Sequence, residues 1–163
     1  MAAKIKVFVM DVDGTMTDGK IYMGPAGEEF KVFDTKDGYG IHEILSKNHV
    51  KTVIMTGRTS DIVERRAKEL EIDYVLQGVK DKGLAMQNLV KELQCELSEA
   101  AYMGDDIMDL PAMQLCAVKG CPADAALEVR EICDYVSTRN GGNGAVRDFV
   151  EWLVKEGLVY NIR

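Results

Sequence analysis

Two groups of aspartates stand close behind apolar segments of the sequence, VFVM and AAYM. The first group is Asp11 and Asp13, and the second is Asp105, Asp106 and Asp109. Carboxylates without a cluster of Cys or His are typical ligands of a hard divalent cation, for which Mg²⁺ is the default. A carboxylate beside such a cation can attack phosphorus and form an aspartyl phosphate. A second carboxylate two residues further on can protonate the leaving alcohol and then deprotonate water.

Groups that could hold a phosphate follow two further apolar segments. Thr56, Gly57 and Arg58 come directly after KTVIM, and Lys80 and Lys82 stand in the loop behind DYVLQG. Backbone amides, a hydroxyl and a lysine can stabilise phosphoryl oxygens. Each of these residues could by itself be a cap or a turn former. Because four such segments supply complementary groups, we favour a shared site over separate caps.

The composition is that of an ordinary globular protein. Of the 163 residues, 47% are hydrophobic and 29% are charged, which suits one core and one domain over 1–163. The formal net charge of −7 argues against a nucleic-acid partner. The sequence shows no apolar run of membrane-spanning length and no secretory leader, so we expect a cytoplasmic protein with no membrane partner.

Strand-like apolar segments alternate with amphipathic, helix-like ones. The predicted strands are 4–10, 51–57, 73–78, 100–106, 115–120 and 134–137. The predicted helices are 38–49, 60–72, 82–94 and 145–157. This alternation predicts an α/β fold with a doubly wound, Rossmann-like parallel sheet, in which ligands bind at the carboxyl ends of the strands. Residues 20–34, with a Gly-Pro-Ala-Gly turn, predict a β-hairpin inserted after the first strand.

The motifs DVDGT, TGR, a lysine and GDDxxD occur in this order between Asp11 and Asp109. Together they resemble the four motifs of the haloacid dehalogenase-like (HAD) phosphatase superfamily. The chain is similar to the subfamily without a large cap domain, in which a hairpin replaces the cap. This resemblance implies a homotetramer whose subunits close one another's active sites. FDTKDGYGI (33–41), YMGDDIMDLPAM (102–113) and GGNGAVRDF (141–149) resemble the 3-deoxy-D-manno-octulosonate 8-phosphate phosphatases.

The resemblance implies a role for each aspartate of the two groups. Asp11 would be the nucleophile and a Mg²⁺ ligand. Asp13 would give its backbone carbonyl to the metal and its side chain to acid–base catalysis. Asp105 would be the third protein ligand of the metal. Asp106 and Asp109 would orient the active-site lysine or the metal-bound waters.

The resemblance also implies which residues hold the phosphoryl group. Thr56 and Lys82 would bind it by their side chains, and Gly57 by its backbone amide. Lys80 is the weaker of the two lysine candidates, since the family usually has its lysine directly after an aspartate. The reaction would be the hydrolysis of a sugar-acid phosphate through an aspartyl phosphate.

The choice of substrate depends on fewer residues. Arg58 stands where phosphatases of nonulosonate 9-phosphates tend to carry a glutamate, which favours the octulosonate. Arg66 could reach the sugar carboxylate in a neighbouring subunit, or it could be an ordinary cation of a helix surface. Lys36 and Asp37 could be turn residues, although their segment resembles one that binds phosphate or sugar.

Four alternatives remain open at this point. A flavodoxin-like phosphoacceptor shares an acidic pocket with Thr and Lys, but its strand order and motif spacing differ. A nonulosonate 9-phosphate phosphatase would use the same catalytic groups. A mutase of the superfamily would need a real cap domain to shelter the aspartyl phosphate, which the short hairpin does not supply. A non-catalytic partner of a nucleotide-sugar synthetase would use the chain chiefly as an assembly surface.

Overall fold

A computed structural model describes residues 4–160. Its strands are β1 (Val7–Met10), β2 (Tyr22–Gly24), β3 (Gly27–Phe30), β4 (Lys51–Met55), β5 (Tyr74–Leu76), β6 (Ala100–Met103), β7 (Val118–Cys121) and β8 (Tyr135–Val136). Six of them form one parallel sheet in the order β5-β4-β1-β6-β7-β8. Chain order reverses across β1, whose neighbours are β4 and β6, as in a doubly wound fold.

Helices connect the parallel strands. They are α1 (Thr35–Tyr39), α2 (Asp61–Glu69), α3 (Lys82–Glu92), α4 (Leu110–Met113), α5 (Leu127–Ile132) and α6 (Ala145–Lys155). A π-helical segment, Gly40–Leu45, continues α1, and short 3₁₀ turns occur at Ser46–Asn48, Leu97–Glu99 and Ile107–Asp109. Side-chain caps define where α2 and α3 begin: Ser60 accepts a hydrogen bond from the amide of Ile62, and Asp81 from the amide of Leu84.

The side chains of β1 alternate between two hydrophobic cores on opposite faces of the sheet. Phe8 and Met10 belong to one core, to which α6 contributes Phe149. Val9 belongs to the other, to which α3 contributes Met86. All four residues of β1 are buried, as expected for a central strand covered on both faces. The predicted α/β class with a parallel sheet and an inserted hairpin is confirmed. The single domain predicted over 1–163 extends beyond the described residues and stays a prediction.

The helix predicted over 38–49 begins earlier than its apolar periodicity indicated. It starts at Thr35, because Asp34 caps it by accepting hydrogen bonds from the amides of Lys36 and Asp37. From Gly40 the backbone is π-helical rather than α-helical. The short helices α4 and α5 were not predicted, since four and six residues are too few to show a helical period.

The hairpin is a separate two-stranded sheet, shorter than the predicted 20–34. Its antiparallel strands pair Tyr22 with Phe30 and Met23 with Glu28, and the rings of Tyr22 and Phe30 stack with centroids 4.6 Å apart. The side chains of Met23 and Phe30 are 65% and 51% exposed. A two-stranded sheet is marginally stable alone, so further contacts must hold it in place. Across residues 4–160, we find no helix with the length and apolar content needed to cross a bilayer.

Candidate active site

The carboxyl ends of neighbouring strands meet around a cavity of about 400 Å³. Every residue predicted to act in catalysis, metal binding or phosphate binding lines it: Asp11, Asp13, Thr56, Gly57, Lys82 and Asp105. The parallel register explains this convergence, because Met10 is level with both Ile54 and Met103, and the chain leaves the sheet just beyond them. The sheet therefore brings together side chains that lie nearly a hundred positions apart in the sequence.

Three carboxylates form the acidic centre of this cavity. Oxygens of Asp11, Asp105 and Asp109 lie within 4.8 Å of one another. Burial, with the charge of Asp109, raises the pKa of Asp11 to about 6. Burial, with the charges of Asp11 and Asp109, raises the pKa of Asp105 to about 8. Crowded oxygens whose ionisation is this unfavourable suit a hard divalent cation, which would replace the missing counter-charge.

A glycine allows Asp105 to approach residues 11–15, the loop that follows β1 and is called the catalytic loop below. Gly14 has φ +91°, in the left-handed region, and a Cβ at this position would lie 1.9 Å from Oδ2 of Asp105. The hydroxyl of Thr15 donates to Oδ1 of Asp105 at 3.3 Å. The Gly-Thr pair that follows the first two aspartates thus turns the chain and also leaves room for the third carboxylate.

Lys82 is buried between two of the carboxylates. Its Nζ lies 2.7 Å from Oδ1 of Asp109 and 3.1 Å from Oδ1 of Asp11. Burial opposes its charge, but the two carboxylates outweigh this effect and raise its pKa. The hydroxyl of Tyr102 also donates to Oδ1 of Asp109, at 2.8 Å. The amide of Asp105 donates to the other oxygen of Asp109 at 3.0 Å, so Asp109 is held by Lys82 and by two groups at the end of β6.

Asp13 lies at the rim of the cavity among cations. Nζ of Lys31 is 2.6 Å from its Oδ1, and Nε of Arg58 is 3.9 Å from its Oδ2. Lys31 also lies 2.9 Å from Oε2 of Glu28. Lys31 is not predictable as a site residue, because it stands in FKVF, where its neighbours indicate only an apolar strand. The alternation of a strand gives two faces but does not tell which face meets the site.

The other predicted site residues fall into two groups. Thr56, Arg58, Lys80 and Asp106 line the cavity, with Thr56 buried and Asp106 exposed. Asp106 also accepts a hydrogen bond from the amide of Ile107 at 2.7 Å, where a 3₁₀ turn begins. Asp106 therefore both caps this turn and lines the cavity.

The second group, Arg66, Lys36 and Asp37, is not among the residues that line this cavity. Arg66 contacts Glu69 at 3.2 Å, and its guanidinium lies over the ring of Phe33 at 5.7 Å. Asp37 is buried, and its Oδ1 accepts a hydrogen bond from the amide of Arg147 at 3.0 Å. Within one subunit, then, the structure does not bring these three residues to the phosphate end of the site.

The glycine-rich segment 141–144 packs on the catalytic loop. The amide of Gly142 donates to the carbonyl of Thr15 at 3.3 Å, and the amide of Gly141 donates to Oδ1 of Asp124 at 3.0 Å. A Cβ at Gly141 would lie 2.0 Å from the carbonyl oxygen of Gly14. The segment thus supports the turn that carries Asp13 rather than acting as a free surface loop.

A larger cavity, of about 750 Å³, lies at the C-terminal end of α3 and is a less suitable catalytic site. Side chains such as Gln87, Lys91 and Ser98 line this open groove. None of the strand-end carboxylates is among its lining residues. Chemistry rather than size therefore identifies the smaller cavity as the candidate active site.

Comparison with known proteins agrees with this assignment. A profile of the haloacid dehalogenase-like hydrolases matches residues 75–149. The 3-deoxy-D-manno-octulosonate 8-phosphate phosphatase KdsC of Yersinia pestis is 40% identical over 153 residues, which cover 94% of this chain and 81% of that protein. The enzyme of the same name from Escherichia coli K12 is 39% identical with the same coverage. The chain belongs to the haloacid dehalogenase-like hydrolases, in the branch of the KdsC phosphatases.

Solved structures extend the likeness to the fold. A phosphatase of the same name from Moraxella catarrhalis, in complex with magnesium, phosphate and KDO, is 42% identical with a TM-score of 0.90, over 94% of this chain and 88% of that one. The cobalt-bound deoxy-D-mannose-octulosonate 8-phosphate phosphatase of Haemophilus influenzae is 34% identical with a TM-score of 0.89, over 93% and 88% of the two chains. Both structures hold a divalent metal.

Proposed function

We propose that the protein hydrolyses 3-deoxy-D-manno-octulosonate 8-phosphate to 3-deoxy-D-manno-octulosonate (KDO) and phosphate, with Mg²⁺ as its cofactor. The observation that carries the proposal is the convergence of Asp11, Asp105, Asp109 and Lys82 in one cavity with Asp13 at its rim. Relatives with 39–42% identity that carry this activity in their names support the choice of substrate. Asp11, Asp105 and the backbone carbonyl of Asp13 would hold the metal, which neutralises phosphate charge when bound.

The first step transfers the phosphoryl group to the protein. A carboxylate oxygen of Asp11 attacks phosphorus while the bond from phosphorus to the sugar oxygen breaks. Asp13 gives a proton to that oxygen, so the sugar leaves as a neutral alcohol. Lys82 and Thr56, with the amide of Gly57, bind the phosphoryl oxygens as their charge changes.

The second step restores the protein. Asp13, now a carboxylate, takes a proton from water as the water oxygen bonds to phosphorus. The bond from phosphorus to the Asp11 oxygen breaks, and inorganic phosphate leaves. Asp109 orients Lys82 through the contact of 2.7 Å, and Asp106 supports the same loop. Atoms and charges balance over the two steps, with one water consumed for each phosphate released.

Substrate selection is proposed to involve groups outside the catalytic centre. Arg58, half exposed beside Asp13, is suited to the sugar carboxylate, because a guanidinium can bind a carboxylate with two parallel hydrogen bonds. Arg66, Lys36 and Asp37 do not line the cavity, so any substrate contact of theirs is assigned to a neighbour's site. A nonulosonate 9-phosphate is the second candidate substrate.

A homotetramer with shared active sites is the proposed assembly. Support comes from the exposed apolar side chains of the hairpin, Met23 at 65% and Val32 at 50%, and from the exposed Met108 at 60% beside the cavity. Burial of such surfaces between copies of the chain is favourable by roughly 25 cal/mol per Å². A cytoplasmic location stays a prediction from the sequence.

The direct test measures phosphate release from octulosonate 8-phosphate and from a nonulosonate 9-phosphate, with Mg²⁺ or with EDTA. We expect turnover of the octulosonate that requires Mg²⁺, and a loss of at least roughly 10³-fold in Asp11→Asn, since the nucleophile is gone. Asp61→Asn, an exposed residue at the start of α2, is the matched control and should keep full turnover. Unchanged turnover in Asp11→Asn would disprove the mechanism, and preference for the nonulosonate would change the substrate.

A further inference from the structure

Lys31 is a cation of the hairpin that is enclosed by the catalytic loops. It follows β3 directly, and only 2% of its side chain is exposed. Lysine is almost never buried unless its ammonium group is paired. Here Nζ lies 2.6 Å from Oδ1 of Asp13 and 2.9 Å from Oε2 of Glu28. Burial opposes its charge, but hydrogen bonds to the two carboxylates prevail and raise its pKa.

The same cluster joins the hairpin to the body of the protein. The hydroxyl of Ser60, the cap of α2, donates to Oε1 of Glu28 at 2.7 Å. Nη2 of Arg58 lies 3.8 Å from Oε2 of Glu28. Polar contacts of Glu28 and Lys31 thus connect the hairpin to the segment behind β4 and to the catalytic loop. The geometry of Asp13 and the placement of the hairpin are linked through one ammonium group.

We propose that Lys31 is a positioning residue of the acid–base step, which holds the carboxylate of Asp13 by Oδ1 and leaves Oδ2 for proton exchange. Oδ2 faces the side of Arg58, whose Nε is 3.9 Å away and which lines the cavity. The inference rests on the proposed function, because Lys31 acts only through Asp13. A carboxylate fixed at one oxygen has fewer rotamers to lose when the leaving oxygen or the water arrives.

A merely structural role for Lys31 predicts a different result. If the ammonium group only tethers the hairpin, its loss should impair all phosphate esters alike. If the ammonium group positions the proton donor, the fall in activity caused by its removal should depend on the leaving group. A sugar alcohol needs a proton as it departs, whereas p-nitrophenolate departs readily without one. The value of kcat/KM reports the steps up to departure of the leaving group, so it isolates the proton donation.

The test compares kcat/KM for octulosonate 8-phosphate and for p-nitrophenyl phosphate in Lys31→Met and Lys31→Arg. We expect Lys31→Met to lower kcat/KM for the sugar phosphate by roughly 10²-fold, which is the lower range of general acid catalysis. The factor by which kcat/KM falls for the nitrophenyl ester should be less than about a fifth of that factor. Lys31→Arg should regain part of the activity on the sugar phosphate, because a guanidinium can still donate to Asp13.

Lys20→Met is the matched control, because Lys20 precedes the same hairpin and is exposed. It should leave both values unchanged. Equal losses for the two esters in Lys31→Met, or no loss for the sugar phosphate, would overturn the inference. Lys31→Gln, which can still donate one hydrogen bond, gives the same comparison if the Met variant does not fold. A wild-type protein inactive on both esters would instead disprove the proposed function.

Discussion

Burial and neighbouring charge disfavour the ionised forms of two carboxylates of the site, Asp11 and Asp105, and a cation among them would favour those forms. Oxygens of Asp11, Asp105 and Asp109 lie within 4.8 Å, and Lys82 supplies one counter-charge. The pKa of Asp105, raised to about 8 by burial and by its neighbours, expresses this repulsion most clearly. A site built in this way sacrifices stability in the metal-free protein for affinity toward the metal.

Replacing Asp105 by Asn should therefore have opposite effects with and without Mg²⁺. In EDTA, above about pH 8 where the wild-type carboxyl ionises, Asp105→Asn should raise the melting temperature, since one buried charge is removed. With Mg²⁺ at a hundred times its dissociation constant, the free energy of unfolding should rise by about 2.7 kcal/mol in the wild type and by much less in the variant. Differential scanning fluorimetry measures both. A wild-type melting temperature that does not change when Mg²⁺ is added would contradict the assignment of the metal site.

Asp37 is a buried carboxylate whose ionisation affects stability away from the acidic centre. It lies at the N-terminal end of α6, where the amide of Arg147 donates to it at 3.0 Å. Burial raises its pKa from 3.8 to about 6, although backbone hydrogen bonds of α6 act in the opposite direction. The folded protein therefore keeps this proton at a pH where the unfolded chain has released it.

The stabilisation from protonated Asp37 should be fully present below about pH 4 and lost as the pH rises through 6. Asp37→Asn, which resembles the protonated form, should gain stability relative to wild type over this interval, by about 3 kcal/mol. Urea denaturation of both proteins between pH 4 and 7.5 measures the difference. A difference that does not change with pH would show that Asp37 titrates normally.

At the scale of elements, the sequence predicts what depends on local patterns. The strand β1 was predictable because four buried apolar residues precede Asp11, and the cap of α2 because Ser60 precedes its apolar face. Asp11 and Lys82 were predictable as site residues since each directly follows a strand or begins a helix. Parallel strands then bring such positions together without further information.

The contacts that escaped prediction are those between elements without a local signal. Lys31 meets Asp13 only because the hairpin folds back over the catalytic loop. Asp37 was predicted beside the substrate, yet the observed bond to Arg147 depends on how α1 packs against α6. Both are tertiary contacts of long sequence separation, and residue type alone does not fix their partners.

The segment 141–144 supports the catalytic loop through close backbone contact, which Gly141→Ala should break. A Cβ would lie 2.0 Å from the carbonyl oxygen of Gly14, so the loop that carries Asp13 must move. We expect kcat to fall by roughly 10²-fold, as for small misplacements of catalytic groups, with a loss of 1–3 kcal/mol in stability, about the cost of overpacking. Asn143→Ala, at an exposed residue of the same segment, should change neither kcat nor stability. Steady-state kinetics and urea unfolding measure these two quantities. Normal kcat in Gly141→Ala would show that the loop adapts freely.

At the scale of the whole molecule, apolar side chains of the hairpin and of the cavity rim are exposed together. Met23, Val32, Leu84, Ile107 and Met108 are each at least half exposed. Large apolar side chains left exposed to water are candidates for burial in an interface between copies of the chain. They form the surface by which the proposed tetramer would close one subunit's cavity with another subunit's hairpin.

Charges placed on the hairpin should therefore dissociate the assembly. Met23→Lys with Val32→Lys should give smaller particles in light scattering after gel filtration, because two charges would have to be buried. Activity on the sugar phosphate should fall with the assembly. Val136→Lys, which places a charge at another partly exposed apolar residue, on the edge strand, should keep the wild-type mass. A monomeric wild type at working concentration would disprove the tetramer.

The position of β1 in the sheet has a consequence for how the chain acquires its structure during synthesis. β1 is synthesised before both of its partners, which begin at Lys51 and Ala100. Pairing of such distant segments is slow, since loop closure costs entropy before any contact forms. One edge of the apolar β1 therefore stays unpaired until β6 has been made at Met103, which exposes the nascent chain to aggregation. The acidic centre cannot exist until Asp109 has also emerged, so metal can enter only after β6 has been made.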